Sequence, residues 1–270
     1  MKQMKSFKDK LLPPAFIFFL AIFLVCCGML VNWYLQYCHQ EKQRQELADL
    51  YGSSERREQF EKSPDRALEA RPDKLEALRE INEDCVGWIA ISGTDIDYPV
   101  VYRDNSYYLT HDFYGEKDRH GAVFLDTGCG EDDFYCLMHA HNMKDGTMFA
   151  DLKKYRKEDF VKKDGRIFFE TLQACREYRA VCAALVDLTK EDFFHYEKAP
   201  ESEEELEEYR EGLRNNAIWF DEDGLDALSL ESSHMLVMST CEYGTADERL
   251  IVVAVSDELQ EESKDENREE

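Results

Sequence analysis

Residues 236–255 read Leu-Val-Met-Ser-Thr-Cys-Glu-Tyr-Gly-Thr-Ala-Asp-Glu-Arg-Leu-Ile-Val-Val-Ala-Val. Leu236, Val237 and Met238 form a short apolar run that ends at Ser239-Thr240-Cys241, and Leu250 to Val255 is a β-branched run. Between them, Glu242 to Asp247 carries turn residues, Gly244 among them, so the stretch predicts strand, turn, strand. Two adjacent strands joined this way carry Cys241 and Arg249 at neighbouring ends. A thiol is a strong nucleophile toward carbonyl carbon, and a nearby guanidinium stabilises an oxyanion or holds a substrate. These residues alone also fit a core cysteine at a strand end beside a surface arginine.

Outward from this hairpin, the chain from Val86 onward is a series of short strand-like runs separated by turns. They are Trp88–Ile91, Ile96–Val101, Ala122–Leu125, Phe134–Met138, Arg166–Phe169 and Tyr178–Cys182, followed by the two around Cys241. Leu152–Phe160 and Glu203–Asn215 are helical interruptions. Many short strands with few helices predict an all-β barrel or sandwich with peripheral helices. The 270 residues suffice for one substantial domain with additions, and there are no internal repeats.

The N-terminal part has a different character. Lys2, Lys5, Lys8 and Lys10 face one acid, Asp9, and no charged residue follows between Leu11 and Gln40. Pro13 and Pro14 precede a run from Ala15 to Val31 that is apolar apart from Gly28, and Trp33, Tyr34 and Tyr37 follow as interfacial aromatics. This run is long enough to cross a bilayer and too long for a usual cleaved signal. The expected organisation is a basic cytoplasmic N-terminus (1–12), a transmembrane signal-anchor helix in contact with lipid (13–37) and a helical stalk (38–79). A strand-rich domain (80–256) on the extracellular side of the cell membrane and an acidic disordered tail (257–270) complete it. In the stalk, Pro64 and Pro72 suit helix starts, and Leu75, Leu78 and Ile81 repeat on one face.

The net charge of −25 is concentrated in seven glutamates within 201–211 and eight acids within 257–270. The first run suits a solvated helix and the second a disordered tail. With no basic patch interleaved with aromatics, nucleic acid is not an expected partner. The nine cysteines contain no Cys-x-x-Cys pair, so neither a zinc site nor a small disulfide framework is indicated. Cys175 and Cys182 flank one strand region and either pair or are simply buried. No metal site and no cofactor are expected, since the acidic runs lack an ordered ligand spacing.

A nucleophilic cysteine needs a base or ion-pair partner, usually histidine. Among the seven histidines, His139 and His141 directly follow the strand ending at Met138 and stand at the head of an irregular loop. The segment His141-Asn-Met-Lys-Asp-Gly-Thr-Met-Phe-Ala-Asp-Leu152, the Ser239-Thr240-Cys241 strand end and Arg249 together resemble the sortases, class B most closely. Further matches are Asp97-Tyr-Pro-Val-Val101, Asp104-Asn-Ser-Tyr-Tyr-Leu109 and Gly121-Ala-Val-Phe-Leu-Asp126. The resemblance covers about residues 80–256.

It implies a closed sortase-type β-barrel of about eight strands and a membrane-anchored cysteine transpeptidase, with chemistry of the thiol peptidase kind. Such an enzyme cleaves a C-terminal sorting signal of a secreted protein, of the Asn-Pro-x-Thr-x or x-Pro-x-Thr-Gly type, after threonine. It holds the protein as a thioester and passes it to an amine of a cell-wall precursor, a lipid-linked peptidoglycan unit or its cross-bridge. Carried over, Cys241 is the nucleophile, His141 the acid and base, and Arg249 the oxyanion or positioning group. His141 and Arg249 both favour the Cys241 thiolate electrostatically. Asn105, Leu109, Ser239, Thr240 and Glu242 fall at substrate-contact positions, with Thr240 offering its backbone N–H as an oxyanion donor. Two departures from the family pattern are Ala140 where glycine is usual and His139 where class B members often have tyrosine. The region from Phe193 to Phe220 corresponds to the loop whose long helix helps form the substrate groove in class B relatives. A papain-like cysteine peptidase or amidase fits less well, because those place the cysteine early and at a helix N-terminus. A membrane-tethered, non-catalytic binding protein with Cys241 in its core is the remaining alternative.

Overall fold

A computed structural model describes residues 14–62, 69–163, 165–231, 233–242 and 247–257. The basic N-terminus and the acidic tail, as well as most of the turn after Cys241, lie outside the described residues. The chain divides into two compact units, Met1–Glu46 and Leu47–Glu270.

The first unit holds most of helix α1 (Pro14–Tyr51), whose residues 47–51 belong to the second unit. From Phe16 it is long and apolar enough by length and composition to cross a membrane. Phe18, Phe19, Phe23, Leu24, Met29 and Leu30 are all exposed, so the apolar surface runs round the helix rather than along one stripe.

In the second unit, Gly52 takes φ +74°, a left-handed conformation that stops α1 and lets α2 (Ser53–Lys62) begin. Helix α3 (Pro72–Arg79) starts on its proline, which forfeits no intrahelical hydrogen bond there, and buries Leu75 and Leu78.

Nine strands follow among the described residues: β1 (Cys85–Ile91), β2 (Asp97–Val101), β3 (Val123–Leu125), β4 (Tyr135–His139), β5 (Arg166–Thr171), β6 (Cys175–Asp187), β7 (Ala217–Phe220), β8 (Ser233–Cys241) and β9 (Glu248–Asp257). Eight of them run in the order β5-β1-β2-β3-β4-β8-β9-β6, and pairing of β5 with β6 closes the ring. This is the closed barrel of eight strands that the resemblance implies, and it decides between the barrel and the sandwich that the strand pattern left open. The β7 strand stands outside the ring, paired to Cys182–Ala184 of β6. Its four residues directly follow helix α5 (Glu203–Asn216) and are not foreseen from sequence. The β6 strand extends well beyond the expected Tyr178–Cys182. Cys175 and Cys182 therefore lie seven residues apart on one strand, a span of roughly 23 Å that no disulfide bridges.

The barrel interior is filled by Ile89, Val100, Leu125, Met138, Phe169, Met238 and Val252, which the strand register places on one face of the wall. A second cluster lies outside the wall, where α2 and α3 cover β1 and β5. Here the Tyr51 ring stacks on Trp88 with centroids 4.2 Å apart, and Phe60 stacks on Phe168. Two buried carboxylates complete the attachment. Asp97 accepts from Ser53 Oγ and from Trp88 Nε1 (2.7 Å). Glu170 accepts from Tyr51 Oη (2.6 Å), Arg56 Nε (2.9 Å) and the Arg71 N–H (2.6 Å).

Two pairings, β2 with β3 and β4 with β8, are parallel. Parallel pairing of β4 and β8 sends both C-terminal ends to the same rim of the barrel, and antiparallel β9 brings its N-terminal end there too. The rim therefore collects His139, Cys241 and Arg249.

Candidate active site

Cys241 is the last residue of β8 and is exposed, whereas Met235 to Thr240 before it are buried. Its partner across the β8–β9 ladder is Arg249. The Glu242 N–H donates to Glu248 O at 2.9 Å, which makes 242 and 248 a hydrogen-bonded pair. Hydrogen-bonded and non-hydrogen-bonded pairs alternate, so Cys241 and Arg249 form a non-hydrogen-bonded pair. Their side chains share one face with Cβ atoms about 5 Å apart. The same alternation places the Thr240 N–H in the ladder opposite Leu250, while its hydroxyl donates to Ala140 O at 2.8 Å.

His141 lies just beyond β4. Its Nε2 donates to Leu109 O at 2.8 Å, and its own carbonyl accepts from the Phe149 N–H at 2.9 Å. The loop that follows closes through a bridge between Asn142 and Met148. Asn142 Nδ2 donates to Cys241 O at 2.9 Å, joining the histidine loop to the cysteine directly. A second tie is the ion pair between Arg156 and Glu242, 3.1 Å apart. Sequence reasoning did not single out Asn142, although its place directly after a candidate histidine is a signal that could have found it.

His139 is engaged elsewhere. Its Nε2 lies 3.0 Å from Asp126 Oδ2, and Asn105 Nδ2 donates to the same oxygen at 2.8 Å while Asn105 Oδ1 accepts from the Thr127 N–H at 2.9 Å. Partial burial pushes the Asp126 carboxyl up, but hydrogen bonds from His139, the Gly128 N–H and Asn105 outweigh it and hold the group below the usual carboxylate range. Asp126, quoted only as the end of a motif, is thus the centre of a polar cluster on this rim.

Leu109 sits on a short 3₁₀ turn in the connection between β2 and β3 and is 38% exposed, a value that leaves its side chain open to a ligand. Ser239 is buried, with its Oγ 3.0 Å from Tyr196 Oη. Tyr196 in turn has its carbonyl held by the hydroxyls of Tyr135 and Tyr209. Burial pushes the Tyr196 hydroxyl up; the hydrogen bond with Ser239 and the positive charge of Arg249 pull it down, while Glu197 and Cys241 push it up again. Helix α5 follows that loop, capped by Ser202 Oγ accepting from the Glu205 N–H, and packs Leu206, Tyr209 and Leu213 inward. Its glutamates point away from this buried face, at the i, i+3, i+7 spacing an amphipathic helix requires.

Most of the residues predicted to carry the site therefore lie at one rim: Cys241, Arg249, Glu242, His141 with Leu109, and Asn105 beside His139. Ser239 and Thr240 are instead buried, with their hydroxyls bonded to Tyr196 and Ala140 inside the fold.

Comparison with known proteins agrees with this arrangement. The family model described as a sortase domain matches residues 89–257. Sortase B of Listeria monocytogenes is 31% identical over 173 residues, covering 63% of this chain and 68% of that protein. Sortase B of Staphylococcus aureus is 28% identical over 186 residues, covering 67% and 73%. A solved Staphylococcus aureus sortase B–substrate complex shares the fold with a TM-score of 0.63 at 24% identity, covering 80% of this chain and 93% of that one. Because the match spans the whole barrel, from β1 to the strand that carries Arg249, the chain belongs to the sortase family of cysteine transpeptidases, in its class B.

Proposed function

We propose that this protein is anchored in the cell membrane by α1 with its barrel outside, and that it cleaves the C-terminal sorting signals of secreted proteins after threonine. It then transfers them to an amine of a cell-wall precursor. The observation that carries this reading is the convergence of Cys241, Arg249 and the His141 loop on one barrel rim, with the cysteine exposed at the end of a buried strand. A cysteine ending a strand also separates it from papain-like enzymes. The apolar helix and the lysines preceding it support anchoring with the N-terminus inside.

In the proposed reaction the Cys241 thiolate attacks the threonine carbonyl and the electron pair moves to oxygen. Arg249, its cross-strand neighbour, stabilises that oxyanion. His141 protonates the leaving amine as the C–N bond breaks, and a thioester remains on Sγ. With Nε2 donating to Leu109 O, the nitrogen that exchanges this proton is Nδ1. An acceptor amine attacks the thioester, His141 takes its proton, and the thiolate is released. Asn105, Leu109 and Glu242 line the approach to Cys241, and the loop bearing Tyr196 borders it. That the Staphylococcus aureus sortase B of the same fold holds its substrate in a solved complex supports a substrate site here.

The test uses the full chain in detergent with quenched-fluorescent peptides of the Asn-Pro-x-Thr-x and x-Pro-x-Thr-Gly types. Cleavage after threonine that is lost in both Cys241→Ala and His141→Ala supports the reading. Equal cleavage by Cys241→Ala, or no cleavage of either peptide class by the wild type, contradicts it.

A further inference from the structure

His120 lies in the connection between β2 and β3 with 1% of its side chain exposed. Both ring nitrogens face carboxylates. Nδ1 is 2.7 Å from Asp118 Oδ1, and Nε2 is 3.0 Å from Asp145 Oδ2. Carboxylate oxygens accept, so a ring with two such partners donates from both nitrogens and is an imidazolium. Burial favours the neutral ring, but the hydrogen bonds and charges of Asp118 and Asp145 outweigh it, and the net effect raises the pKa. Arg119 also faces Asp145, at 3.6 Å. The turn that delivers the ring is fixed by Gly121, whose φ is +64° and where a Cβ would lie 2.2 Å from Tyr108 O.

Asp145 is the tip of the loop whose base is His141. Its second oxygen accepts from Thr147 Oγ1 at 2.7 Å. At the base, the Phe149 N–H donates to His141 O, and the Met148 N–H donates to Tyr98 Oη at 3.0 Å, with Met148 at φ 57°. The loop is thus held at its base by Tyr98 and Cys241 and at its tip by a buried cation that the reaction does not use.

We propose that His120 is a positioning residue: donating to Asp118 and Asp145 together, it holds the tip of the 142–148 loop, and so sets His141 against Leu109 and Asn142 against Cys241. The inference rests on His141 being the acid and base. Removing one member of a buried charged pair leaves the other uncompensated, so the loop relaxes away from its position. A displacement of about 1 Å at a catalytic group costs roughly 100-fold in rate.

The experiment measures kcat and KM of the detergent-solubilised full chain on an Asn-Pro-x-Thr-x quenched peptide, with thermal unfolding in parallel. The variants are His120→Gln, Asp145→Asn, their combination, and His141→Ala. The expected result is a fall in kcat of about 10- to 100-fold in either single variant, with KM within about threefold. The double variant falls no further than the worse single one, because the two residues act as a unit. A folded His120→Gln with kcat within about twofold of wild type, or losses that multiply in the double variant, overturns the proposal. If His120→Gln does not fold, ¹⁵N spectra of the wild-type imidazole decide: both nitrogens protonated at neutral pH agrees, and a neutral ring overturns. Turnover by His141→Ala overturns the underlying reading of the site, whereas an inactive His141→Ala beside a fully active His120→Gln removes this proposal alone.

Discussion

The imidazole of His141 donates from Nε2 to the backbone carbonyl of Leu109, 2.8 Å away. A carbonyl offers no proton, so this contact selects one neutral tautomer and leaves Nδ1 as the basic nitrogen. Long-range ¹H–¹⁵N correlation spectra of the neutral His141 ring should show the Nε2–H form. A predominant Nδ1–H form would break the link between the Leu109 turn and the proposed base.

Arg249 stands across the strand from Cys241. Replacing it with alanine should lower kcat by about 10²- to 10³-fold, the usual cost of losing an oxyanion donor. Arg249→Lys should recover only part, because an ammonium lacks the planar fork that reaches two acceptors. Steady-state kinetics on the peptide substrate measure both, and a fully active Arg249→Lys would assign the residue a charge-only role.

The cysteines of the barrel unit differ sharply in accessibility. Burial pushes the thiol pKa values of Cys85, Cys175 and Cys182 up to about 12 and that of Cys129 up to about 11, while Cys241 is exposed. Iodoacetamide near neutral pH should therefore modify Cys241 ahead of these four, as read by peptide mass mapping of the folded chain. Earlier labelling of Cys175 would show that its surroundings open.

Glu170 is almost wholly buried, 2.8 Å from Arg56, and also accepts from Tyr51 and the Arg71 N–H. Glu170→Gln leaves Arg56 uncompensated in the layer where α2 meets the barrel. The expected loss is about 3–5 kcal/mol, which corresponds to a Tm lower by something on the order of 10 °C. Calorimetry on the full chain measures it, and an unchanged Tm would mean that α2 is not held by this pair.

The His120 cluster gives stability a sign with respect to pH. Its folded pKa is raised above the ordinary value of 6.5 by Asp118 and Asp145. That contribution is complete below the unfolded pKa and is lost as pH rises through the folded one. Wild-type Tm should therefore decline on the alkaline side of 6.5, and His120→Gln should flatten that decline over the same interval. An equal decline in both proteins would place the titrating group elsewhere.

What could be read from sequence follows from how local each feature is. The β-branched run Leu250–Val255 and the short run Trp88–Ile91 mark strands by themselves, and the motif beginning at His141 and the strand end at Cys241 point to the candidate site. Neither the added β7 strand nor the full length of β6 was visible, because Ala217–Phe220 is only four residues long and directly continues an acidic helix. Buried charges were equally hidden. His120 and Asp145 are separated by 25 positions and Arg56 and Glu170 by 114, so nothing local marks them as pairs. Asp126 as the partner of His139 and Leu109 as the partner of His141, 13 and 32 positions away, were hidden for the same reason.

The most direct test of the account is intact-mass spectrometry of the full chain in detergent, quenched in acid during turnover of an Asn-Pro-x-Thr-x peptide. The account predicts an adduct equal to the peptide's acyl portion ending in threonine, mapped to Cys241, discharged by an added amine and absent from Cys241→Ala. Turnover with no adduct in the wild type, together with equal turnover by Cys241→Ala, would contradict covalent catalysis at this cysteine.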